Sequence, residues 1–141
     1  MLEWSLQAKT GFSAFVSFGA MVDVQWSDII YYFGSDQATR SIVIYLESIG
    51  DVRSFLSAAR EVSLSKPIIL LRAGRTHQGG VAAQSSPYAC VDECDDEVLN
   101  AALARCGVLR VDDVEMLFAM ADTLSKQPRP SGPAMTIIGN A

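Results

Sequence analysis

The chain has 141 residues, half of them hydrophobic, which is enough apolar material for one core and close to the usual size of a single domain. Its net charge is -5 and its 11 Lys and Arg residues are scattered, which argues against a nucleic acid or a membrane surface held by a basic patch. No apolar run approaches the roughly 20 residues that cross a bilayer, and the amino terminus lacks the pattern of a secretory leader. Three cysteines, Cys90, Cys94 and Cys106, are an odd set too sparse for a disulfide framework, so a cytoplasmic protein is expected.

In chain order, Leu2, Trp4 and Leu6 before Lys9-Thr-Gly11 read as the end of a helix stopped by glycine. Phe12 to Ser17 reads as a strand closed by Gly19, and Trp26, Ile29, Ile30 and Phe33 share one face of a short helix that ends at Gly34-Ser-Asp36. Ser41 to Leu46 is a continuous apolar strand that stops at Glu47-Ser-Ile-Gly50. Asp51 then caps a helix carrying Val52, Phe55, Leu56, Ala59 and Val62 at spacings of three and four. Lys66-Pro67 resets the backbone to extended, and Ile68 to Leu71 forms the next strand before a long loop from Gly74 to about Glu93.

Val98, Leu99, Ala102, Leu103 and Cys106 mark a further amphipathic helix, with Gly107 in the left-handed cap position. Val108 to Val111 is a short strand, and Asp112 with Glu115 three residues on makes a capping-box-like start for a helix bearing Val114, Leu117, Phe118, Ala121 and Leu124. Gln127 to Pro133 holds three prolines and reads as a stiff linker, followed by a strand over Met135 to Ile138. Strands alternating with helices predict an α/β, flavodoxin-like fold: a mostly parallel sheet with helices on both faces. Two apolar strands that end abruptly in charge and glycine place the functional groups at the carboxyl edge of that sheet.

Gly11-Phe-Ser-Ala-Phe-Val-Ser-Phe-Gly19 with Asp23-Val24, Ile44-Tyr-Leu-Glu47, Lys66-Pro-Ile-Ile, Ala73-Gly-Arg-Thr76 with Ala82-Ala83 and Ser85, Asp96-Glu-Val, and Arg105-Cys-Gly-Val-Leu-Arg-Val111 follow one another in order. Together they resemble the succinyl-CoA-synthetase-like domain of NDP-forming acyl-CoA synthetases, a domain that also occurs fused to acetyltransferase modules in protein lysine acetyltransferases. The resemblance implies a ligase that interconverts acid, CoA and ATP with acyl-CoA, ADP and phosphate through a phosphohistidine on a mobile loop. It implies three regions: residues 1–127 as the ligase domain lacking its first strand, 128–133 as a Pro-rich linker, and 134–141 as the start of a following domain, so that the domain is truncated at both ends. CoA and ATP or ADP belong to the complete family enzyme, whose CoA-binding Rossmann and ATP-grasp domains would be the partners. No cofactor is expected on this chain alone.

Aligned without gaps from Arg75-Thr76, the family's relay histidine falls on Ser86. A phosphoramidate on imidazole has high transfer potential because the ring is a good leaving group once protonated, whereas a serine phosphate is a stable ester. The resemblance gives Glu47 the part of the carboxylate that orients the phosphohistidine, since a carboxylate accepting one ring N–H leaves the other nitrogen nucleophilic. Gly19 and Gly50 could present backbone N–H groups to phosphate, and Arg75 could help hold that anion. The single histidine, His77, reads as a solvated loop residue. Cys90, Cys94 and Asp92 with His77 lack a convincing fourth ligand, so no metal site is expected. The expectation is a ligase-domain fragment that is not catalytic alone. The alternative is a noncatalytic interaction or regulatory module, as in the acetyltransferase fusions.

Overall fold

The computed structural model describes residues 11–19, 21–72, 96–128, 132, 134 and 136–139. Apolar residues alternate with four helical segments to give α1 (Trp26–Ser35), β1 (Ile42–Leu46), α2 (Val52–Ser63), β2 (Ile68–Arg72), α3 (Asp96–Arg105), β3 (Leu109–Val111) and α4 (Val114–Lys126). The three strands lie in the order β1-β2-β3 and pair in parallel, with Ile42 opposite Ile68 and Ile69 opposite Leu109. Parallel pairing brings all three carboxyl ends to one edge, as the sequence leads one to expect.

The side-chain period of two sends alternate residues of each strand into different cores. Ile42, Ile44, Leu46, Ile68 and Leu70 pack with Ile30 of α1, Phe55, Ala59 and Val62 of α2, and Leu99 and Leu103 of α3. Ile69, Leu71 and Val111 face the other way and meet Leu117 and Ala121 of α4. β2 is therefore apolar on both faces because it is covered on both, and truncating fully buried Leu70 to Ala would cost about 2–5 kcal/mol. The flavodoxin-like α/β architecture with helices on both faces follows directly.

Local chemistry fixes the ends of these elements. Asp51 caps α2, its Oδ1 accepting from the N–H of Arg53 at 3.0 Å and of Ser54 at 3.2 Å. After α3, Gly107 sits at φ 74°, and the N–H groups of Gly107 and Val108 donate to the carbonyls of Ala104 and Leu103. That reciprocal pair satisfies two carbonyls which the helix end leaves without partners. The cap of α4 is Asp113, which accepts from the Met116 N–H at 2.7 Å, and not Asp112 as the Asp112-x-x-Glu115 spacing suggested. Asp113 has the extended backbone (φ -142°, ψ 165°) that a cap requires, and its third residue onward is Met116.

Two expected strands are corrected. Phe12 to Ser17 pairs with no described strand. Ser13 bonds to Thr39 through their hydroxyls at 2.8 Å, and Phe12 meets the edge of Phe118 with ring centres 5.9 Å apart. Residues 136–138 of the expected Met135 to Ile138 strand also lack strand pairing, and Ile137 and Ile138 are exposed. An apolar run becomes a strand only where a neighbour's backbone is available to it. The expected helix before Gly11 lies outside the described residues. Among the described residues no helix is long and apolar enough to cross a membrane.

Candidate functional site at the carboxyl edge of the sheet

β1 ends at buried Leu46, and the next residue, Glu47, is exposed. No described residue donates a hydrogen bond or an ion pair to its carboxylate. The chain then turns through buried Ile49 and through Gly50 at φ 70°, a left-handed conformation that side-chain-bearing residues adopt only at a cost. The turn leads straight into the Asp51 cap.

The two glycine segments singled out from the sequence meet here. Phe18 packs edge-on against Trp26 with ring centres 4.5 Å apart, and the Trp26 indole N–H donates to the Ser48 carbonyl at 2.9 Å. On the other side of Gly19, the Met21 side chain lies where a Cβ on Gly50 would come within 3.0 Å of it. Gly19 is exposed between these two anchors. The structure thus gathers Glu47, Gly50 and Gly19 at the end of β1. Ser86, Arg75 and His77, together with Cys90, Asp92 and Cys94, lie outside the described residues.

Electrostatics divide this edge into two parts. At the start of α2 the Asp51 carboxylate already occupies the N–H groups of Arg53 and Ser54 and also accepts from the Ser54 hydroxyl at 2.7 Å. The Ser54 hydroxyl bond, foremost, holds the Asp51 pKa below the ordinary carboxylate value. An anion approaching the start of α2 therefore meets a negative charge.

At the ends of β2 and β3 two arginines share one carboxylate. Arg72 Nη1 and Arg110 Nη2 both reach Asp96 Oδ1, at 3.2 and 2.6 Å, and Asp96 is the first residue of α3. Arg110 has only 9% of its side chain exposed, and its Nε is buried with no hydrogen-bond partner. Sequence reading did not assign these three residues a role. The signal was an arginine inside the short strand Val108 to Val111, since a charge that the sheet takes partly out of water requires a partner. Among the described residues no group of three or more His, Cys, Asp or Glu side chains could hold a metal ion.

Residues 1–124 match the family model described as the succinyl-CoA ligase like flavodoxin domain. The chain is 39% identical over 140 residues to the alpha subunit of ADP-forming acetate–CoA ligase I of Pyrococcus furiosus, covering 99% of this chain and 30% of that protein. It is 38% identical over 133 residues to the ADP-forming 4-hydroxybutyrate–CoA ligase of Nitrosopumilus maritimus, covering 93% of this chain and 19% of that protein. Among solved structures, the dinucleotide-forming acetyl-coenzyme A synthetase 1 of Ca. Korarchaeum cryptofilum, in complex with phosphate and ADP, superposes with a TM-score of 0.80 at 34% identity. That superposition covers 92% of this chain and 28% of the synthetase. The chain therefore spans less than a third of the length of these relatives.

Proposed function

The chain belongs to the succinyl-CoA-ligase-like flavodoxin domain family, and from that premise we propose that it serves as this domain of an NDP-forming acyl-CoA synthetase, without supplying the phosphoryl relay. The complete reaction would join acid and CoA at the expense of ATP, releasing ADP and phosphate. A CoA-binding Rossmann domain and an ATP-grasp domain would be its partners and would hold CoA and the nucleotide. Residues 1–127 would form the domain, 128–133 a linker and 134–141 the start of the next unit.

What supports this reading is the ungapped alignment from Arg75-Thr76, which puts Ser86 where the resemblance expects the family's phosphohistidine. A hydroxyl that accepted phosphate would hold it as an ester of low transfer potential, so the chain would trap the group and not pass it on. The position of Glu47 supports the same reading. A carboxylate at the end of β1 is placed to accept one ring N–H of an imidazole and so to orient the other nitrogen. Here Glu47 stands exposed just past the end of β1. Gly19, Gly50 and Arg75 are the groups proposed to meet phosphate. Of these, Gly50 stands next to the Asp51 charge, which leaves the larger share to Gly19 and Arg75.

A second reading, a noncatalytic interaction or regulatory module of the kind found in lysine acetyltransferase fusions, is favoured by one feature. α1 leaves Tyr31 and Tyr32 exposed on its outer face, and exposed aromatics are enriched where proteins dock. The two readings separate in a chimera in which residues 1–124 replace the matching segment of a ligase relative. The ligase-domain reading expects a folded, CoA-binding chimera that forms no acyl-CoA, and expects Ser86→His alone to leave it inactive because, set against the pattern that the resemblance supplies, the stretch from Ser86 to Asp96 is also two residues longer. Acyl-CoA formation by the unmodified chimera would overturn the proposal.

A further inference from the structure

α1 is joined to the rest of the molecule at its middle and at both ends. Of its ten residues Ile30, in the middle, is the one that is fully buried, while the Trp26 and Phe33 rings pack on the same core only in part. At the amino end the Trp26 indole N–H donates to the Ser48 carbonyl at 2.9 Å. At the carboxyl end the Lys66 ammonium donates to the carbonyls of Phe33, at 2.8 Å, and of Asp36.

The tie at the carboxyl end answers a need of the helix. The last four carbonyls of an α-helix have no partner within it, and a cation there is favoured by the helix dipole. The last turn of α1 has no basic residue of its own. Lys66 supplies the charge from 30 residues beyond Asp36. Its backbone is fixed on both sides: the Lys66 N–H donates to the Val62 carbonyl at 2.9 Å, and the carbonyl of the next residue, Pro67, accepts from the Ile42 N–H at 2.9 Å. The ammonium therefore stands on a firm base just before β2, at the amino edge of the sheet.

The Trp26 end belongs to the opposite edge. Ser48 follows β1 and stands two residues before Gly50, and the Trp26 ring packs edge-on against Phe18, the neighbour of Gly19. Ten residues make α1 about 15 Å long, enough to carry one tie to each edge. A short rod with one buried side chain at its middle and a tie at each end is a lever, and releasing either end lets it rock about the middle. The link on its exposed side, from the Tyr31 hydroxyl to Glu61 at 3.1 Å, competes with water and restrains it little.

We propose that Lys66 is a positioning residue for the glycine turn at the carboxyl edge: through α1 it fixes Trp26, and through Trp26 it fixes how Gly19 stands to Gly50. Its bearing on phosphate rests on the part proposed above for those two glycines, whereas the coupling of the two ends of α1 does not. Such coupling is reciprocal, so loosening Trp26 loosens the Lys66 tie by the same factor.

The test is amide and indole hydrogen exchange in isotope-labelled chain, with the Trp26 indole signal told from that of Trp4 by its loss in Trp26→Phe. Lys66→Met keeps an apolar stem and removes the charge. It should speed exchange of the Trp26 indole N–H by about tenfold and shift the amide signals of Gly19 and Gly50. Lys66→Arg, which can still donate to both carbonyls, should restore most of the protection. Asp113→Ala removes the cap of α4 and lowers stability away from α1, and it should leave the Trp26 indole unchanged. Should Lys66→Met fail to fold, Trp26→Phe gives the converse reading: the Asp36 N–H, which donates to the Tyr32 carbonyl, should exchange faster by a like factor. Faster exchange confined to the Asp36 N–H in Lys66→Met, an equal response of the Trp26 indole in Asp113→Ala, or an unmoved Asp36 N–H in Trp26→Phe would each overturn the proposal. Glycine signals that move with Lys66→Met but not with added inorganic phosphate would uphold the lever and remove those glycines from phosphate binding.

Discussion

At Gly34 the last turn of α1 lies so close to α2 that a Cβ added there would sit 2.7 Å from a methyl carbon of Val62. Alanine would gain roughly 1 kcal/mol of helix propensity over glycine. Against that, Val62 is buried and stiff at χ1, and overpacking such a contact costs about 1–3 kcal/mol. Gly34→Ala is expected to lower stability in urea denaturation, and Gly34→Ala with Val62→Ala to be more stable than the sum of the two single changes implies. Additivity of the two would show that the close approach does not matter.

Titration gives a second residue-scale expectation. Asp51 is held below the ordinary carboxylate value chiefly by the Ser54 hydroxyl, and Asp36 chiefly by the Thr39 hydroxyl and then the Ala38 N–H. Both therefore bind protons less readily folded than unfolded. Their contribution to stability is whole above the unfolded carboxylate value of about 3.9 and is lost as pH falls through the lowered folded-state values. The Tm of the parent chain should fall on acidification in that range. Asp51→Asn, which keeps the cap but cannot titrate, should show a shallower fall, and an identical profile would contradict this account. The Asp51 cap was legible because a capping side chain bonds within three residues of itself. The cap of α4 was read one residue early because Asp112, and not Asp113, has a glutamate three residues on, and only the backbone path out of β3 selects Asp113.

At the scale of elements, the start of α3 is tied to the sheet by charge. Arg72 at the end of β2 and Arg110 within β3 converge on Asp96, whose position at the amino end of α3 also suits the helix dipole. Because the Arg110 guanidinium is largely out of water, removing its counter-charge leaves it poorly compensated. Asp96→Asn is expected to cost about 1–3 kcal/mol, measured as a lower denaturation midpoint with an unchanged slope. An unchanged midpoint would mean that the trio contributes nothing. β1, β2, α2 and the helix face of Leu99 and Leu103 were legible because period and composition are local signals. Phe12 to Ser17 has the same local signal, but whether it joins a ladder depends on which backbone lies next to it. The joining of Trp26 to the Ser48 carbonyl, which brings Gly19 towards Gly50, spans 22 residues and left no trace in the local pattern.

For the whole molecule, an ordered series of motifs carried the family and the fold, and the three-strand parallel sheet with α4 on its far face agrees with both. The placement of Glu47 and Gly50 at one edge could be anticipated from the end of β1, whereas the approach of Gly19 and the convergence of Arg72 and Arg110 on Asp96 required the tertiary structure. The central claim is chemical: a hydroxyl at position 86 cannot replace an imidazole as a carrier of activated phosphate. The measurement that tests it most directly is incubation of the chain with radiolabelled ATP and the ATP-grasp partner of a ligase relative, followed by acid treatment of the protein. The account expects no acid-labile label, with any label that is taken up remaining acid-stable. Acid-labile phosphate that ADP can recover as ATP would contradict it.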